Sequence, residues 1–129
     1  MIPRRIRSTS GLDLAPEEFP AHVHEHQVPH STALHATLDG HRYLTGPLAR
    51  YSLNSAQLSP AARRAAIEAG LGATCRNPFR SIVVRAVETV HAVEEALAII
   101  DAYEPPDPPA IAVTPRPATG HGVSEAPRG

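Results

Sequence analysis

The segment opening at Asn77-Pro78 and closing before Pro105-Pro106 constrains this chain more than any other. Asn before Pro is a helix start: the Asn side chain can accept from an early amide, and Pro suits the first helical position. The pattern predicts a helix over 78–103, roughly 39 Å long at 1.5 Å per residue. Ile82, Val83, Ala86, Val90, Val93, Leu97 and Ile100 form one broad apolar stripe along it. Val84, Ala92 and Ile99 lie on the other side. A small domain rarely needs so long a helix with apolar residues on two sides. A larger helical body around it does, and the chain is expected to be a piece of such a body.

The predicted fold class is α+β, predominantly helical. Ser59-Pro60 repeats the start signal, and a second helix is expected over 60–69, stopped by Gly70. The lead is polar and rich in histidine over 15–45. Ile6, Leu12 and Leu14 suit a short strand, and Pro16-Glu17-Glu18 a brief helix with acidic residues at its positive end. Asp39-Gly40 is a hairpin signal flanked by Thr37-Leu38 and His41–Leu44. The tail, 104–129, is punctuated by proline; Ala110–Val113 and Gly122–Ser124 are its candidate strands. Fourteen prolines in 129 residues are about twice the usual share of roughly 5%. With no Trp and two Phe, the core must be built from aliphatic side chains, and stability in isolation is expected to be marginal.

Twelve basic against thirteen acidic side chains leave no concentrated basic face, so a nucleic-acid partner is not expected. Pro3-Arg4-Arg5-Ile6-Arg7 reads as a solvated basic cluster. No apolar run approaches the ~20 residues of a membrane span, and no secretory leader pattern appears. A lone cysteine, Cys75, fits a reducing, cytoplasmic setting.

Among chemistry-bearing residues, His22, His24 and His26 alternate, which on a strand places three imidazoles on one face; His30, His35 and His41 follow. Imidazole suits zinc, nickel or copper. The spacing is not that of a structural zinc site, and a polar surface segment is the simpler reading. Cys75 has no second thiol and reads as structural. Arg85 and Glu88, three apart, suit an ion pair on the helix surface. Asp39 near His35 and His41 lacks the serine motif of a hydrolase.

Three segments carry more. Gly46-Pro47-Leu48-Ala49-Arg50, Asn77-Pro78-Phe79-Arg80-Ser81-Ile82 and Glu125-Ala126-Pro127-Arg128-Gly129, in that order and spacing, resemble the catalytic large subunit of nickel–iron hydrogenases. The similarity is greatest to the cytoplasmic branch linked to nicotinamide cofactors, and Arg85–Glu88 and Glu94–Leu97 extend it. It runs from about Arg5 to the final residue. The resemblance implies an incomplete portion of the large-subunit fold and a parent activity of reversible H2 oxidation. It also implies three partners: the remainder of the large subunit, an iron–sulfur small subunit and a nicotinamide-dependent electron-transfer module.

In that family the arginine of the last motif hangs over a nickel–iron centre with cyanide and carbonyl ligands. Carried over, Arg128 is the catalytic residue, and Ala126, Pro127 and Arg128 hold the iron-bound ligands. Proline fixes the approach of the chain, and a guanidinium offers several donors in a rigid fork. The family's metals sit on two cysteine pairs, one near each terminus, and neither pair is present here. No metal ligand and no resident cofactor are therefore expected on this chain, which by itself should not turn over hydrogen. Two rivals remain: a non-catalytic relative of the quinone-reductase type, which tends to carry Lys where Arg128 stands, and a small His-rich metal-binding or interaction protein.

Overall fold

Gly46 sits at φ 69° and ψ −142°, a conformation that a side chain resists, and turns the chain into Pro47 at the first position of a helix. In this computed structural model, which describes residues 5–119, that helix is the first of three that build the core. The elements are β1 (Ile6–Arg7), β2 (Asp13–Leu14), α1 (Phe19–His22), β3 (Val23–His26), β4 (His35–Leu38), α2 (Pro47–Asn54), α3 (Pro60–Glu68) and α4 (Ser81–Asp101). Helix accounts for 44% and strand for 11%, so the chain is α+β with helix dominant, as expected.

α4 packs against both α2 and α3. Leu48 and Tyr51 of α2, Ala62 and Ala66 of α3, and Val84 and Val87 of α4 are buried together, with Leu58, Leu71 and Cys75 closing the ends. The two alanines leave room for α4 to come close. Val84 is fully enclosed; burying a side chain of this size contributes about 1.5–3 kcal/mol relative to exposure.

The helix expected over 78–103 is shorter. Pro78–Arg80 form a 3-10 turn before α4 begins, and Asn77 Oδ1 accepts from the Phe79 amide at 3.0 Å. The second helix ends as predicted: Gly70 at φ 63° donates to the Ile67 carbonyl while Leu71 returns to Ala66. This helix also starts as predicted, with Ser59 at the N-cap and Pro60 first in the helix, although the Ser59 side chain makes no capping bond.

The lead forms two small antiparallel pairs, β1 with β2 and β3 with β4. Pro16–Glu18 is a 3-10 turn that leads into α1, close to the brief helix expected there. At Asp39-Gly40 both φ angles are positive, 49° and 78°, the signature of a tight mirror-image turn. The strand before that turn nevertheless pairs with β3, in the register Val23 with Leu38 to His26 with His35. Beyond the turn there is a single bridge, Leu38 with His41, so the expected hairpin into 41–44 does not form.

Ala110–Val113 is not a strand: flanking prolines remove donors, and none of the described strands pairs with it. The other candidate strand, Gly122–Ser124, lies outside the described residues.

Candidate functional site

The densest polar convergence is the junction of α2, α4 and the connector 71–76. Arg50, on the last turn but one of α2, meets Glu88 of α4 in a two-pronged pair: Nε to Oε1 at 2.9 Å and Nη2 to Oε2 at 2.9 Å. The two residues are 38 positions apart and partly buried. Parallel guanidinium–carboxylate bonds fix direction as well as distance, so this contact sets the angle and register of α2 on α4.

Hydroxyls of α2 and the turn after it then hold the connector. Tyr51 Oη donates to the Gly72 carbonyl at 2.7 Å, and Ser55 Oγ to Ala73 at 2.8 Å. Ser52 Oγ accepts from the Cys75 amide at 3.0 Å and donates to the Cys75 carbonyl at 3.3 Å. Burial raises the Tyr51 phenol above its ordinary range, with Cys75 adding to that and Arg80 opposing it.

A second polar contact joins α4 to the start of α3. Glu94 Oε2 accepts from the Ala61 amide at 3.0 Å, and His91 Nδ1 accepts from the Ser59 amide at 3.3 Å. The free amides of the α3 N-terminus are thus satisfied by another helix, which is why Ser59 need not cap its own. The Ser59 hydroxyl is buried and makes no hydrogen bond of regular geometry, yet it lies against Glu94. That hydroxyl, with the amides of Ala61 and Ala62 and the charge of Arg64, holds the Glu94 carboxyl below its usual range. At the other end of α3, Arg80 donates to the carbonyls of Ala69 and Gly70.

This junction holds; it has no reacting group set against a base. Cys75 is buried, its sulfur 4.0 Å from the Asn77 carbonyl. A nickel–iron centre needs soft thiolates. The chain's one cysteine points into an aliphatic core, and no group of three His, Cys, Asp or Glu among the described residues is set to hold a metal ion. The described residues do not fit such a centre.

The expected residues fall as follows. Arg128, Ala126 and Pro127 lie outside the described residues. Glu88 pairs with Arg50 rather than Arg85, because a partner on a packed neighbouring helix offers two bonds where one three residues away on the same helix offers less. The three alternating histidines do not share one strand face. His22 ends α1 and bonds Asp39, Nδ1 to Oδ1 at 2.8 Å, which leaves His24 and His26 on the strand face. The Asp39 carboxylate thus pairs with His22, not with His35 or His41.

His26, His35 and His30 form a small edge-to-face group, with ring centres 6.2 and 5.5 Å apart. The opposite face of this hairpin carries Val23, Glu25 and Ala36, which with Phe19, Pro20 and Tyr43 line a shallow open depression. Sequence reasoning missed the Arg50–Glu88 pair and the Glu94 cap. Gly46-Pro47 could have signalled α2, but nothing local marks its partner on α4.

No helix among the described residues is long and apolar enough to cross a membrane. Compared with models of known protein families, with curated proteins and with solved structures, the chain matches none.

Proposed function

We propose that this chain is a segment of the large subunit of a nickel–iron hydrogenase of the cytoplasmic, nicotinamide-linked branch. The parent reaction is reversible oxidation of H2, with electrons passed to an iron–sulfur small subunit and then to a nicotinamide-dependent module. The observation that carries this reading is the meeting of two motif segments. Gly46–Arg50 and Arg85–Glu88, two segments of the one sequence resemblance, are joined by the Arg50–Glu88 pair. A motif residue with a structural partner inside a second motif is what a shared architecture requires. Arg128 is the residue this reading places at the reacting centre, and the metal ligands belong to sequence outside this chain.

A second reading, the non-catalytic quinone-reductase type, draws on the one buried cysteine. The test is H2-dependent dye reduction by a protein that carries this segment together with its flanking sequence and the small subunit. The reading expects activity, and expects Arg128→Lys to reduce it by about 10²-fold or more, the scale for losing a preorganised electrostatic donor. A metal-free, inactive assembly would favour the second reading.

A further inference from the structure

The face of α4 turned away from the core carries a seam of its own. Val83, Ala86, Val90, Val93, Leu97 and Ile100 recur at alternating steps of three and four, the two-in-seven spacing of a coiled-coil contact line, and Phe79 extends it by one step. Val84 and Val87 face α2 and α3, roughly a third of a turn round the helix from the middle of the seam. Val83 straddles the two faces, packing partly on the core. The rest of the seam is exposed, from 37% at Val90 to 91% at Phe79.

We propose that this seam is a homodimer interface, formed by two copies of the chain with their α4 helices antiparallel. The inference goes beyond the hydrogenase reading and does not depend on it, since it concerns the outer face of α4 in the chain on its own.

Three observations select a second copy in this orientation. The first is area: with Ile82 and Tyr103, the exposed seam offers on the order of 800 Å², about the share each partner gives to a standard interface. The second is size matching. An antiparallel register sets Val83 over Ile100, Ala86 over Leu97 and Val90 over Val93 of the second copy, so the smallest residue meets a large one and a two-fold axis repeats every layer.

The third is charge. Arg76, Arg80 and Arg85 lie towards the start of α4, and Asp101 and Glu104 at its end, while Glu94 faces α3. Antiparallel pairing sets basic end over acidic end and opposes the two helix dipoles, whereas parallel pairing stacks like on like. Arg85 is exposed and has no carboxylate partner among the described residues.

Sedimentation equilibrium on the full chain tests this. The expected species has twice the 13.7 kDa chain mass and weakens as salt rises. Leu97→Glu should return it to monomer with unchanged far-UV circular dichroism, since Leu97 lies outside the core. For orientation, Val83→Cys and Ile100→Cys chains are mixed and oxidised: the crossed disulfide is expected, and Val83→Cys alone should not link to itself. A wild-type monomer at about 100 µM, where micromolar pairing is essentially complete, would overturn the proposal. So would open-ended aggregates, or a dimer indifferent to Leu97→Glu. A Val83–Val83 link would overturn the antiparallel arrangement. A dimer would give this stripe a cover other than a larger helical body, so the hydrogenase reading is tested separately, by H2-dependent activity of the assembled parent.

Discussion

The two faces of α4 make the most instructive contrast in the molecule. The inner face is the less apolar: Val84 and Val87 are buried there, but Glu88, His91 and Glu94 share it. The outer face is almost wholly apolar, and it is exposed. Packing followed the polar residues. α2 and α3 present a guanidinium and a free helix N-terminus, and these find partners only on the face that carries carboxylates. Leaving a buried donor unpaired costs about 1–3 kcal/mol, comparable to the gain from burying one aliphatic side chain. The more apolar stripe is therefore left for something outside this unit.

That contrast can be broken in graded steps. Val84→Glu should do the most damage, since an unpaired charge in the core costs about 3–5 kcal/mol. Thermal denaturation of this variant followed by circular dichroism should show no cooperative transition.

Glu88→Gln comes next. It halves the charge-assisted contact with Arg50, and because both groups are partly exposed the expected loss is about 1 kcal/mol. A double-mutant cycle with Arg50→Gln isolates the pair, and a coupling near zero would mean that the contact does not position α2 on α4.

The Glu94 cap has a pH signature. Its carboxyl is held low by Ser59 first and by the α3 amides after it. A lowered folded value means the contribution is complete above the ordinary glutamate range and fades as pH falls through the folded value. Glu94→Gln should therefore lower stability at neutral pH, change it little at low pH, and so flatten the acid limb of a stability–pH profile. Asp13, also held low, chiefly by Arg5, keeps part of the acid dependence. An unchanged acid limb would mean that Glu94 does not cap α3 in solution.

The smallest effect sharpens the comparison. Val93→Glu, on the outer face, should change the unfolding free energy of the dilute monomer by no more than about 0.5 kcal/mol. The same substitution at Val84 should unfold the chain.

Much of this is legible in the sequence where the signals are local. Ser59-Pro60, Asn77-Pro78 and Gly70 mark helix ends because caps and stops depend on the few residues beside them. Asp39-Gly40 likewise marks a turn. It does not say which strand will pair with β4, because β3 reaches it from the other side through the 27–34 loop. The orientation of α4 is legible only in part. Apolar periodicity finds the stripe, but which face turns inward depends on Arg50 and the α3 amides, far away in sequence. Of the site, the residues expected to react lie outside the described region, and the contact that joins the motifs spans 38 positions.

Membership of this chain in a larger hydrogenase subunit is tested most directly by the genomic sequence on both sides of the reading frame. Cys-x-x-Cys motifs are expected upstream and downstream, in frame or displaced by a frameshift. A true start and stop with no such motifs nearby would contradict that membership, and would leave a helical protein whose outer face serves only its own association.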